Sequence, residues 1–420
     1  VAKVYICDPC LAHMGGHPAV WTSRFASLFL GTGHRVAILS HGNFPESQID
    51  GIPVIKHFTR TAWHSDDRTD PLVNWDKYFK NNGRMVEDME RLQKGIHLTP
   101  DNRFADPHVP LEPEDLLIFT TITEYQMAGL TTWYRGLEKD RRPTLICSLM
   151  APSGYVLEGD SGEGRIYAWD TARFYKLAFR NVEPDGDKVH FIALGRAHAA
   201  QYSYLAGKPV PPYPALNTAI QPDGPLRDTP GKNVLLYAGA ATPTKGAHHL
   251  PDILDILCPR HSDWQFTVQT GNGVATKDSV ALDERLQVAD RKYSNFNYID
   301  HRLDDTAYCQ LFNDSDLVLV PYDPDYYYNQ SSGLVWEAIA TANMLVVPEN
   351  CCLEWEAKSQ NAGFETFESF TPASIAEAVS RALAPAITSR ATRLAKAKRF
   401  KAENHLDALK KLLFSMWKTG

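Results

Sequence analysis

Short apolar runs recur along the chain, and each is followed by a loop and then by a stretch with helical periodicity. Val4–Cys7, Arg35–Leu39, Gly51–His57, Leu116–Thr120, Thr144–Leu149 and Val189–Ala193 form a first series. Val234–Tyr237, Trp264–Val268, Phe296–Ile299, Leu317–Pro321 and Met344–Val347 form a second. Most of these runs are apolar at consecutive positions, the signature of parallel strands covered on both faces. Between them the spacing predicts helices at Ala19–Gly31, within Asn81–Lys94, up to about Leu137, at Ile166–Arg180, Arg196–Leu205, His248–Leu257 and Thr306–Asp314. An amphipathic helix carrying Glu337 near its start follows Leu317–Pro321. Ser153–Arg165 reads as a charged, Gly-rich loop, and Ala373–Lys418 as a helical tail. The alternation of strand and helix predicts an α/β protein.

The two series are separated by Ala206–Asp228, which holds six prolines in a short span. Proline cannot continue a helix or a central strand, so the boundary belongs there. The expected division is 1–212, with an irregular insert near 59–110, then 213–400, then a helix over 401–420 packing back toward the first domain. A length of 420 residues supports two substantial cores. The net charge of −7 gives no electrostatic footprint for nucleic acid. No apolar run approaches the roughly 20 residues of a membrane span. The opening VAKVYICDPC alternates like a strand and lacks a signal-peptide layout. Seven cysteines, an odd number, point to a reducing, cytoplasmic setting rather than a disulfide framework. Cys7 and Cys10 form a C-x-x-C pair interrupted by proline, with no second pair at zinc spacing, and read as structural thiols.

Candidate chemistry gathers where strands end. After Leu317–Pro321 the chain runs YDPDYYYNQSSG into the helix of Glu337, so Ser331, Ser332 and Gly333 lie at a helix start, where free N–H groups favour an anion. Gly239–Gly246 (GAATPTKG) links another strand to a helix. Lys245 in it could reach a ligand's phosphates, or simply face solvent. Gly271-Asn272-Gly273 and Asp300-His301-Arg302 are further turns at strand ends. In the first half, Gly15-Gly16 makes a sharp turn before a helix without forming a dinucleotide fingerprint. The adjacent His17 could be a general base, an anion contact or a helix-start residue.

Taken together these motifs resemble the GT-B glycosyltransferases, above all the retaining family-four group of polysaccharide and glycolipid enzymes. The resemblance implies two Rossmann-like domains with parallel sheets facing across a cleft. It implies that Lys245 binds the donor diphosphate, with Gly239 and Thr242 in its turn. Gly271 would belong to a second glycine loop, and the strand ending at Arg302 would hold the nucleobase. Glu337 would bind the ribose, and Gly15 and Gly16 would lie near the donor phosphates and the acceptor. The chain departs from the pattern at Ala240 and Ala241, where an arginine is usual. It departs again at Asn329, in place of the first glutamate of a pair, so Asn329 and Gln330 are the candidates for sugar hydroxyls.

The implied function is transfer of a sugar from a UDP- or GDP-sugar to a glycan, glycolipid or small-molecule acceptor, with retention and without a metal or other cofactor. Inversion with His17 as base, and a scaffold that binds a nucleotide sugar or glycan without turnover, are the alternatives. The basic run ATRLAKAKRFKAENHLDALKK reads as a solvated helix face. If it meets acidic lipid instead, the protein would sit peripherally at the inner face of a membrane.

Overall fold

A computed structural model describes residues 1–14, 17–61, 71–98, 110–158, 163–166, 168–182, 188–217, 226–271 and 277–418. The chain divides into two compact units, Val1–Pro214 with Leu406–Gly420, and Ala215–His405.

Unit 1 contains β1 (Lys3–Cys7), β2 (Arg35–His41), β3 (Gln48–Ile49), β4 (Ile52–Phe58), β5 (Leu116–Phe119), β6 (Thr144–Leu149), β7 (Tyr155–Glu158), β8 (Glu163–Ile166), β9 (Val189–Leu194) and β10 (Pro212–Tyr213). Its helices are α1 (His17–Ser27), α2 (Pro71–Gln93), α3 (Glu124–Gly136), α4 (Trp169–Arg180) and α5 (Gly195–Ala206). Among the described residues the main sheet has eight strands in the order β10-β9-β6-β5-β1-β2-β4-β3, parallel except for β3. Every residue of β1, β5 and β6 is buried, which is why those segments are mostly apolar in the sequence. The strand order reverses between β1 and β5.

Unit 2 contains β11 (Asn233–Ala238), α6 (Leu250–Arg260), β12 (Gln265–Gln269), α7 (Lys277–Lys292), β13 (Phe296–Ile299), α8 (Asp305–Asp314), β14 (Leu317–Leu319), α9 (Gly333–Ala340), β15 (Met344–Pro348), α10 (Cys352–Ser359), β16 (Phe364–Phe367), α11 (Pro372–Thr388) and α12 (Arg390–Glu403). Its described strands form a parallel sheet in the order β13-β12-β11-β14-β15-β16. Numbered within the unit, that is 3-2-1-4-5-6, a doubly wound Rossmann-type order with its reversal between β11 and β14. A last helix, α13 (Leu406–Lys418), belongs to unit 1.

Several segments differ from the sequence expectation. Tyr155–Glu158 and Glu163–Ile166, expected as loop, pair as an antiparallel hairpin. The helix expected within 81–94 starts ten residues earlier, at Pro71, because Trp75 and Tyr78 pack their rings on Phe174 of α4. Helix α9 is not amphipathic: Leu334 to Ala340 are all buried, covered by α10, α12 and β15. The basic tail is only partly a solvated face. Arg390 and Arg393 are buried and hydrogen-bonded to backbone carbonyls of Arg227, Ser315, Ala342, Pro385 and Ala386. The described cysteines are all free thiols, and Cys7 and Cys10 are buried.

Candidate functional site

In unit 2 the site is built where β11 and β14 lie side by side and the strand order reverses. Ligands of open α/β sheets collect outside the carboxyl ends of the strands at this kind of position. The chain leaves β11 through Gly239 and tightens into a short helical turn, Pro243–Lys245. It then turns back at Gly246, whose φ is +69°. A Cβ there would lie 1.8 Å from the Pro321 carbonyl oxygen, so only glycine lets this turn press against the end of β14. Asp323 N–H donates to the Thr244 carbonyl at 3.0 Å and fixes the two loops together.

Lys245 is the cation this arrangement presents. Its Nζ stands 5.7 Å from the centroid of the Tyr322 ring. Its ammonium makes no hydrogen bond or ion pair among the described residues. Burial lowers its pKa, the direction expected of an ammonium withdrawn from water without a counter-ion. Thr242, in the same turn, shares a hydroxyl contact of 3.3 Å with Thr244.

Tyr322 joins this loop to the next element. Burial pushes its phenol well above its ordinary range, with Tyr237, Tyr327 and Glu337 adding to the rise and the Ser332 side chain opposing it. Ser332 is the N-cap of α9, and its hydroxyl accepts from Leu334 N–H at 3.3 Å, a standard way to satisfy an orphan donor of the first turn. Gly333 opens that helix under the Asn217 side chain: a Cβ at Gly333 would meet Asn217 Nδ2 at 2.2 Å. Asn217 is 7% exposed, and its Oδ1 has no hydrogen-bond partner among the described residues. Asn329 is buried at the end of the tyrosine-rich loop, and Gln330 and Ser331 are half-buried between it and the helix.

Glu337, the fifth residue of α9, is 4% exposed. Its Oε2 accepts from the Tyr308 hydroxyl of α8 at 2.8 Å. The next element over is tied in by Gln269, which is fully buried at the end of β12. Its Nε2 donates to the His301 carbonyl at 2.8 Å, and its Oε1 accepts from Gly239 N–H at 3.2 Å. The loops after β11, β12 and β13 are thereby held together by one side chain. Gly271 sits against the His301 backbone, while Arg302 is exposed beside it.

Lys245, Thr242, Gly239, Gly271, Asn329, Gln330, Ser331, Ser332, Gly333 and Glu337 thus all lie at the carboxyl edge of one sheet, with Arg302 on its solvent side. The remaining candidates belong to unit 1. His17 opens α1, and its side chain lies outside the described residues, as do Gly15, Gly16, Asn272 and Gly273. Among the described residues, no group of three or more His, Cys, Asp or Glu could hold a metal ion, and no helix is long and apolar enough to cross a membrane.

Unit 1 has its own polar cluster where its strand order reverses, and sequence reasoning missed it. Asp8, the first residue past β1, is completely buried. Its Oδ1 accepts from Cys10 N–H at 2.8 Å, and its Oδ2 accepts from Thr22, Thr120 and Thr121 at 3.0, 3.0 and 3.3 Å. Burial pushes this carboxyl up to about 6 despite those donors. Asp8 ties the loop before α1, α1 itself and the end of β5 together. Tyr308, Asn217 and Gln269 were also missed. Each is a single polar residue in an ordinary-looking segment, and only the fold brings its partner near.

The chain matches no protein family profile and no curated protein. It is similar along its whole length to solved structures at low identity. Sucrose-phosphate synthase from Thermosynechococcus elongatus matches with a TM-score of 0.63 and 11% identity, covering 100% of this chain and 99% of that one. An α,α-trehalose-phosphate synthase (UDP-forming) from Burkholderia vietnamiensis matches at 0.61 and 12%, covering 100% of both. A trehalose-6-phosphate protein from E. coli bound with UDP-2-fluoro glucose matches at 0.57 and 12%, covering 99% of both. With its two Rossmann-like α/β units, the chain has the GT-B fold.

Proposed function

We propose that this protein is a glycosyltransferase that moves a sugar from a nucleotide-diphosphate sugar, UDP- or GDP-linked, to a glycan, glycolipid or small-molecule acceptor. The observation that carries this is Lys245: a half-buried ammonium without a counter-ion, set beside the Ser332-capped start of α9 at the reversal of the unit 2 sheet. An uncompensated buried cation next to helix N–H groups suits a diphosphate. The UDP and UDP-sugar named for similar structures favour the same ligand.

In this mechanism the leaving diphosphate gathers negative charge as the glycosidic bond breaks, through a transition state of oxocarbenium character. Lys245 and the N–H groups at the start of α9 stabilise that charge where it develops, without requiring a metal. Glu337 holds the ribose and orients the donor. Asn329 and Gln330, just before the helix, hold sugar hydroxyls. With retention, the departing phosphate takes the acceptor proton on the face it leaves. Gly15, Gly16 and His17 serve the acceptor side, and His17 would be the base if the enzyme inverts. Asn329, standing where the resembled family has a glutamate, favours a second reading: donor binding with slow or no turnover. The acceptor class decides whether the protein works free in the cytoplasm or against a membrane.

The test is a transfer and donor-hydrolysis assay across UDP- and GDP-sugars with wild type, Lys245→Ala and Glu337→Ala. The expected result is nucleotide release by wild type that falls at least ten-fold in each variant. Equal release by all three would remove these roles. Tight donor binding with no release by wild type would establish the second reading instead.

A further inference from the structure

Glu337 is held from outside its own helix, and the residue holding it has no role so far. Tyr308 lies on α8, which packs on β11, while α9 packs on β15. The start of α8 is fixed by Asp304, whose carboxylate accepts from Ala307 N–H at 2.8 Å. Its end is fixed by Asn343, which donates to the Phe312 carbonyl at 2.9 Å. Tyr308 stands between these anchors with its ring 5.0 Å from that of Phe312. Its hydroxyl donates to Glu337 Oε2 at 2.8 Å, and the oxygen accepts no hydrogen bond from any described residue. On the neighbouring position of α9, Trp336 Nε1 donates to Glu356 Oε1 at 3.0 Å. Consecutive residues of α9 are therefore pinned to two different helices, α8 and α10, and α9 cannot rotate about its axis without breaking one of these bonds.

We propose, resting on the transferase reading above, that Tyr308 is a positioning residue that sets the Glu337 carboxylate to receive the nucleotide ribose. A glutamate has three side-chain torsions, and a carboxylate that must be ordered on binding loses affinity to that ordering. Tyr308 does the ordering in advance, by donating to one carboxylate oxygen from a ring that is itself packed. A ribose, whose adjacent hydroxyls are both donors, matches a carboxylate held in this way. The ligand class implied is a ribonucleotide in preference to its deoxy counterpart.

The experiment titrates UDP and GDP into wild type, Tyr308→Phe, Glu337→Gln and the double variant, then repeats the titration with the 2′-deoxy form of whichever nucleotide binds. Tyr308→Phe removes the hydroxyl and keeps the ring, so the core is preserved; a melting temperature for each variant verifies this. The expected result is about ten-fold weaker binding by Tyr308→Phe, with the double variant no weaker than Glu337→Gln alone. The deoxy penalty should shrink in Tyr308→Phe. If Glu337→Gln binds weakly while Tyr308→Phe binds like wild type, or if the two losses add, Tyr308 does not act through Glu337 and the proposal is overturned. Wild type that binds neither nucleotide overturns the transferase reading and this proposal with it.

Discussion

Arg390 Nη1 and Asp316 Oδ1 lie 3.3 Å apart inside unit 2, with side chains 1% and 0% exposed. Asp316 also accepts from Arg227 at 2.7 Å and from the N–H groups of Gly231 and Asn233 at 3.0 Å each. One carboxylate thus anchors α12, the entry to β11 and the start of β14. Leaving a buried charge wholly uncompensated typically costs about 3–5 kcal/mol, but without Arg390 the Asp316 carboxylate would still keep Arg227 and two N–H groups. Arg390→Ala is therefore expected to destabilise unit 2 measurably in urea unfolding, but by less than that. Arg390→Met, which fills the space but also abandons Asp316, should recover only part of the loss.

The lysine turn makes a second, separable prediction. With a φ of +69° and a backbone oxygen 1.8 Å from where a Cβ would be, Gly246 has no room for any side chain. Gly246→Ala should cost about 2 kcal/mol or more, since the left-handed conformation and the clash both oppose it. It should also displace Lys245 and weaken UDP or GDP binding. Unchanged stability by denaturant titration would mean that the turn relaxes freely.

Lys245 should discriminate among nucleotides by their phosphates. Lys245→Ala is expected to weaken a nucleoside diphosphate at least ten-fold, and a nucleoside much less, in isothermal titration. Lys245→Arg should preserve the charge and only part of the affinity, because a planar guanidinium fills the space beside Tyr322 differently. Equal losses for diphosphate and nucleoside would assign Lys245 to the base or ribose instead.

Acid should act on unit 1 through a buried histidine. His57 is fully buried between His97, Nδ1 to Nδ1 at 3.1 Å, and the Asp88 carbonyl at 2.8 Å from its Nε2. Burial, with His97 adding to it, lowers its pKa from 6.5 to about 3. The unfolded chain takes up this proton below pH 6.5 while the native state refuses it. The stability contribution is therefore complete above 6.5 and drains away as pH falls toward 3. Asp8 and Asp88, both pushed up to about 6, have the opposite sign. Their native carboxyls bind protons first, so they add stability as pH falls from 6 toward 3.8. His57→Gln removes the His57 share alone, so as pH is lowered from 7 to 5 the variant's melting temperature should fall less, or rise more, than that of wild type.

The sheets were legible in the sequence because their strands are covered on both faces. Phe296–Ile299 and Thr144–Leu149 could be read residue for residue, and Leu116–Phe119 nearly so. The hairpin at Tyr155–Ile166 was not, since its glycines and charges carry no alternation strong enough to override a loop reading. Helix α7 escaped for a related reason: Lys277–Lys292 is mostly polar, and only a few of its residues, such as Leu286, reach the core. In the site, Lys245, Glu337 and Ser332 were visible because they sit at fixed offsets from glycines and strand ends. Tyr308 meets Glu337 across 29 residues of sequence, and Asp8 meets Thr120 across 112. No local spacing encodes such distances; they follow from the strand order.

The last helix imposes an order on how this protein is made. Phe414 of α13 stacks on Phe29 at 5.2 Å, Trp417 lies 4.6 Å from the ring of His34, and Leu409 and Leu413 are fully buried. These partners precede unit 2 in the chain, and α13 follows the whole of it. During synthesis unit 1 must therefore carry an uncovered aromatic and aliphatic surface while some 190 further residues (215–405) are added. A nascent chain stalled or truncated before Leu406 would keep that surface bare, and would be a substrate for chaperones whatever the state of its second unit.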